Sequence, residues 1–307
     1  MRRIILAIAL LIPLAAAADV SVFLGHQSVG RYIIAEPGHY DDTNTPPTHA
    51  GTSMRDSLAA GIALWDHDYS NYTYGDYDGF TGPDGETVGW ASGQGFGRQE
   101  SPYFRNNGVK LSHLIGDCIT ASPTTNGGAY RDSLARFDIV IIKPGYRDMH
   151  MDADTLATYK TMLNTAADWW HANNPGQYLV VTTAPPLRHY DDYVGTAGFD
   201  DAADAVAKAA VYRDFSQWLQ NVWVCRHPEL RFFDMWYMAV EHTGAADVKW
   251  FTKDEYTGTG VGNSSGDHHL NSAGSDAIQA ALVDFINGLA LDFIAETHET
   301  RRMIDLP

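Results

Sequence analysis

With 307 residues, 45% of them hydrophobic and 12% aromatic, the chain carries enough apolar material for a sizeable core, which excludes a globally disordered protein. Its net charge of −17 argues against nucleic acid or an anionic membrane surface as partner, since both select basic patches. Length alone leaves one large α/β domain or two small ones open.

Met1-Arg2-Arg3, an apolar stretch from Ile4 and the alanines up to Ala18 have the layout of a secretory signal peptide over residues 1–18. Cleavage near Ala17 or Ala18 predicts a secreted or periplasmic protein whose mature chain starts around Asp19. An uncleaved anchor is the alternative for this leader. No other segment approaches about 18 consecutive apolar residues, so the mature form is expected to have no membrane partner.

Val20 to Phe23 then run through Leu24 into Gly25-His26-Gln27-Ser28-Val29-Gly30 and an apolar stretch to Ala35. The pattern reads as a strand, a tight turn and a helix start, with Ser28 at the helix N-terminus. A Ser there can cap the helix by accepting its first amide hydrogens. It can equally act as a nucleophile, because the same backbone N–H groups support a developing oxyanion.

Residues 36–123 are rich in Gly, Pro, Asp, Asn and Tyr and show little periodicity. They predict a loop-rich insertion broken by one short helix, Met54 to Leu64, of a length more often ligand-facing than a plain connector. Within it, Leu64 to Tyr69 and Asp76 to Gly79 gather carboxylates around aromatic rings. Calcium is one reading of the region from Asp66 to Asp78, although Phe80 stands where a calcium loop needs a ligand; a solvated loop is the other. Cys118 and Cys225 lack metal-site spacing and read either as a disulfide or as two buried apolar side chains.

Regular elements follow. Tyr130 to Arg136 predicts a short helix, and Phe137 to Lys143 a strand apolar on both faces, as in the middle of a parallel sheet. Met151 to Asn173 predicts a long helix, with Leu156, Tyr159, Leu163, Ala166 and Trp170 along one side and Pro175-Gly176 as its stop. A strand over Tyr178 to Thr183, a helix over Ala202 to Val224, a fourth strand at Arg231 to Asp234 and a last helix over Asn271 to Ile294 complete the series. The polar residues 297–307 read as a frayed tail.

Strands alternating with long helices predict a parallel sheet covered on both faces, and ligands bind such sheets beyond the carboxyl ends of the strands. The polar residues there are His26, Gln27 and Ser28; Tyr146, Arg147 and Asp148; Thr182 and Thr183; and further on Glu241 and His242. One more stretch, Ser264 to Asn271, precedes the last helix and holds Asp267, His268 and His269. A loop His with a nearby carboxylate has the parts of a general base and its orienting group, and Ser28 would complete a triad. His269 is the preferred base and His268 its competitor; a polar cap before the last helix is the structural alternative.

The Gly-x-x-Ser-x-Gly opening and the Asp/His-Leu-Asn block resemble the SGNH (GDSL-type) hydrolases, and more closely a divergent secreted branch with GHQSVG in place of the usual Gly-Asp-Ser. The likeness spans most of residues 20–277. It implies a three-layer α/β/α, flavodoxin-like parallel sheet in a single domain over 19–296, here with a long irregular insertion. It also implies hydrolysis of a carbohydrate or other small-molecule ester without cofactor or metal. By motif, Ser28 is the nucleophile, His269 the base and Asp267 its carboxylate. The oxyanion donors are then the Ser28 amide and Gly128, with Gly95 as fallback. Three positions depart from the family pattern: Gln27 replaces an Asp, Arg147 replaces the oxyanion Asn, and Gly266 stands where the triad Asp normally lies. Arg147 and Gln27 are thereby expected at oxyanion or substrate-binding positions; His26, which the family pattern does not account for, reads either as a further substrate or site contact or as a residue that pairs backbone groups at the turn. A catalytically inactive carbohydrate- or surface-binding protein and a polysaccharide O-acyltransferase are the competing functions.

Overall fold

The computed structural model describes residues 20–26, 33, 54–68, 80–81, 87–88, 134–144, 152–184, 202–239, 270 and 272–304. Five strands rich in aliphatic and aromatic residues form one parallel sheet: β1 (Val20–His26), β2 (Ile62–Asp68), β5 (Ile139–Ile142), β6 (Tyr178–Thr182) and β7 (Leu230–Phe233), in the order β2-β1-β5-β6-β7. β3 (Phe80–Thr81) and β4 (Thr87–Val88) make a separate antiparallel pair.

Alternation along the central strands divides the core in two, as a sheet covered on both faces requires. Phe23, Val140, Ile142, Leu179 and Val181 face one cluster, packed by α2 (Ala153–Asn173) and α3 (Ala202–Asn221). Val22, Leu24, Ile139, Ile141 and Val180 face the other, packed by α1 (Met54–Ser57), α4 (Met235–Ala239) and α5 (Ser272–Ile304). The handedness of crossovers explains the division. The chain steps one way from β1 to β2 and the opposite way from β5 through β6 to β7, so the connecting helices fall on opposite faces.

Local chemistry fixes the long helices. Asp152 caps α2 by accepting from Thr155 N at 2.8 Å, and Gly176, at φ 84°, supplies the left-handed residue of the turn into β6. Trp170, fully buried, donates from Nε1 to Gln177 O at 2.9 Å and so ties the end of α2 to that turn. At the amino edge, Ser21 and Asp138 clamp β1 to β5: Ser21 N and Oγ donate to Asp138 Oδ2 at 2.8 and 2.7 Å, and Asp138 N donates back to Ser21 Oγ. By length and composition, residues 273–297 of α5 could span a bilayer. Here Ile278, Leu282 and Ile286 instead place a helical stripe against the sheet.

Three expectations need correction. The helix expected from Met54 to Leu64 stops at Ser57, and Ile62–Asp68 is a sheet strand, so among the described residues the sheet has five strands where four were expected. Gly61, at φ 87°, breaks helical progress, and β2 then pairs residue for residue with β1. The last helix runs to Ile304, ten residues beyond Ile294, so residues 297–304 are helical. After β7, where no element is predicted from the sequence, Met235–Ala239 is helical. Finally, Cys225 is a free, exposed thiol, neither disulfide-bonded nor buried; Cys118 lies outside the described residues.

Candidate active site at the carboxyl edge of the sheet

The order β2-β1-β5-β6-β7 has its topological switch point between β1 and β5, the neighbours from which the chain leaves in opposite directions. In open α/β sheets the crevice beyond that point is where ligands bind. Gly25 and Lys143 close the last rung there, with Lys143 N donating to Gly25 O at 2.9 Å. The Lys143 side chain is buried at 2% exposure and its ammonium donates to Pro144 O at 3.1 Å.

The β6/β7 part of the same edge is closed by a polar network. Thr183 Oγ1 donates to Asp234 Oδ1 at 2.8 Å and accepts from Trp236 N at 2.8 Å. Asp234 also accepts from Tyr237 N at 2.9 Å and, through Oδ2, from Ser216 Oγ. Ala184 N donates to Tyr212 Oη at 2.7 Å. Thr182 and Thr183, both fully buried, thus serve the framework at this edge.

Of the expected site residues, His26 is the last residue of β1, in register with Asp68 of β2. Gln27, Ser28, Gly95, Gly128, Arg147, Asp267 and His269 lie outside the described residues, as do Asp76 and Asp78 of the calcium reading. Their flanks are described. Ile33, five residues beyond Ser28, and Leu270, the neighbour of His269, are both buried in the core cluster shared with Leu24 and Met54. Gln279 on α5 donates from Nε2 to Ile33 O at 2.6 Å, a buried bond across 246 residues of sequence. Sequence reasoning missed Gln279 and Lys143. A buried amide on an otherwise apolar helical face was the available signal for the first, and the Lys ending an aliphatic run for the second.

No family model matches the chain, and no curated protein matches it. Among solved structures, it is similar to Est24, a carbohydrate acetylesterase from Sinorhizobium meliloti, at 14% identity and TM-score 0.38, with 88% of this chain and 99% of that one covered. A carbohydrate esterase family 2 enzyme with its carbohydrate-binding domain, from a Corynascus fungus, matches at 16% identity and TM-score 0.42, covering 90% and 68%. A protein from Bacteroides fragilis described as an acylhydrolase matches at 14% identity and TM-score 0.41, covering 88% and 87%. Likenesses at this level carry no weight for the chemistry, and the fold assignment rests on the strand order and helix layers.

Proposed function

We propose that this protein is a secreted serine ester hydrolase that works through an acyl-enzyme on a carbohydrate or another small ester. Ser28 attacks the ester carbonyl while His269 takes its proton, and His269 returns that proton to the departing alcohol. Water then enters by the same route in reverse, leaving the acid and free Ser28. Asp267 orients the imidazole, and the Ser28 amide with Gly128 and Arg147 receives the oxyanion. The substrate class follows the family resemblance.

The observation that carries the reading is the buried Gln279–Ile33 bond. It ties the segment that follows Ser28 to the helix that follows Asp267 and His269. Ser28 follows the end of β1 by two residues in sequence. Ser28→Ala should abolish hydrolysis of p-nitrophenyl acetate and labelling by a fluorophosphonate while leaving Tm unchanged. Retained turnover in that variant would refute the mechanism. Arg147 in place of the family Asn favours a second reading, a binding protein on the same fold; an unlabelled wild-type chain would support it. Product analysis with and without a sugar acceptor separates hydrolysis from acyl transfer.

A further inference from the structure

At the opposite, amino edge of the sheet, the end of α2 meets the turn that leads into β7. His171 Nδ1 lies 2.7 Å from Glu229 Oε1, and Glu229 is buried at 5% exposure. His227 Nε2 lies 2.8 Å from Asp168 Oδ1. Arg226 Nη2 donates to both oxygens of Asp168, at 2.8 and 2.9 Å. The two imidazoles stack, with centroids 4.2 Å and planes 11° apart. One donor atom from each of His171, His227 and Glu229 lies within 4.8 Å of the other two.

We propose that His171, His227 and Glu229 form a binding site for a divalent transition-metal ion, with zinc the best fit. Two imidazole nitrogens and one carboxylate oxygen suit zinc, copper or nickel and are a poor set for magnesium or calcium, which take oxygen ligands. Three protein donors leave a fourth, tetrahedral position for water. Metal–nitrogen bonds of about 2.0 Å place tetrahedral ligand atoms roughly 3.3 Å apart, so the cluster must close by up to about 1.5 Å. The stacked rings must also splay. His171 has the freedom to do so, its side chain being 49% exposed, while buried Glu229 is the fixed point.

His227 is already oriented for the task. A nitrogen shared with Asp168 is not available to an ion, which leaves Nδ1 as its open donor and makes Asp168 the carboxylate that sets the ring. Arg226 donates to both Asp168 oxygens and so fixes the carboxylate against the His227 ring. On binding, the ion takes the place of the hydrogen between His171 Nδ1 and Glu229 Oε1, the neutral ring carrying its proton on Nε2 instead, with no change of oxidation state. The site would pin the end of α2 to the start of β7. β6 and β7 separate it from the carboxyl edge by strands roughly 15 Å long, so its role is structural, apart from the ester chemistry.

The test is a zinc titration of the metal-stripped full chain by calorimetry and by thermal unfolding. A saturable zinc step is expected, absent with calcium or magnesium, weakened at least tenfold in Asp168→Asn and lost in a His171→Asn/His227→Asn double variant. At a hundredfold excess over Kd, zinc should raise the wild-type Tm by roughly 5 °C and leave the double variant unmoved. His171→Asn alone, at an exposed position, keeps the test available should the double variant fail to fold by circular dichroism. The absence of a zinc step in the wild type, or the same step in the folded variants, overturns the proposal.

Discussion

Asp234→Ala should cost about 4 kcal/mol of stability. Asp234 follows β7 directly and accepts three bonds, from Thr183 Oγ1 at 2.8 Å, Tyr237 N at 2.9 Å and Ser216 Oγ. The three donors belong to the end of β6, to α4 and to α3, so one carboxylate joins the sheet edge to both helices. Thr183 is fully buried and Ser216 nearly so, and a buried hydroxyl stripped of its acceptor costs roughly 1–3 kcal/mol. Tyr237 is 60% exposed, so water replaces Asp234 at its amide, and the loss there is nearer that of a helix cap, about 1 kcal/mol. Against a total of about 5–15 kcal/mol this is a large share, equivalent to a Tm lowered by about 10 °C. Urea unfolding followed by Trp fluorescence measures it, since Trp236, whose backbone N–H donates to Thr183 Oγ1, is buried beside the network. The cycle with Thr183→Val isolates the pair and should show coupling of about 1 kcal/mol or more. A loss below about 1 kcal/mol for Asp234→Ala, or no coupling to Thr183, would show that the network does not hold this edge.

Gln279→Ala removes the donor to Ile33 O and should cost about 1–2 kcal/mol, leaving a buried carbonyl unpaired. If that bond aligns the two halves of the site, kcat/KM for p-nitrophenyl acetate falls about tenfold as well; a folded variant with full activity would dissociate Gln279 from catalysis. Tyr178 provides a pH test. Burial first, and the nearby Glu296 second, push its hydroxyl up to about 12 from an ordinary value of 10.0, against the opposing Arg231 guanidinium. A raised pKa means that the folded state holds the proton more tightly, so this contribution is full below pH 10 and is lost as pH climbs towards 12. The urea midpoint of wild type should therefore drop more steeply across that window than the midpoint of Tyr178→Phe, and parallel curves would contradict the assignment.

The central strands were legible because their burial is two-sided: Ile139-Val140-Ile141-Ile142 and Tyr178 to Val181 are apolar at every position, and few other structures tolerate that. β2 was illegible for the opposite reason. As an edge strand it mixes Leu64 and Trp65 with Asp66, His67 and Asp68, and the Leu58/Ile62 spacing before it imitates a helix. Only pairing with β1, a tertiary event, decides it. The extension of α5 past Ile294 was hidden by its polarity, since Glu296 to Arg302 offers no apolar stripe from which to infer a helix.

The two candidate sites differ in the same respect, and the difference bears on how each is to be judged. Ser28 and the Asp267/His269 block declare themselves as local motifs next to a strand end and a helix start. What no local motif contains is the convergence proposed for them, which rests on the sheet order and on contacts such as Gln279 to Ile33. The amino-edge cluster has no motif at all: His171 and Glu229 stand 58 residues apart, and Asp168 and His227 stand 59 apart. They meet because α2 descends to the amino edge to feed β6, and α3 descends to the same edge to feed β7. Parallel crossovers return the chain there after every strand, so adjacent crossovers bring helix ends and strand starts together whatever their distance in sequence. A motif can therefore nominate chemistry at the carboxyl edge of such a sheet, whereas a site built at the amino edge from adjacent crossovers has to be found in the folded chain.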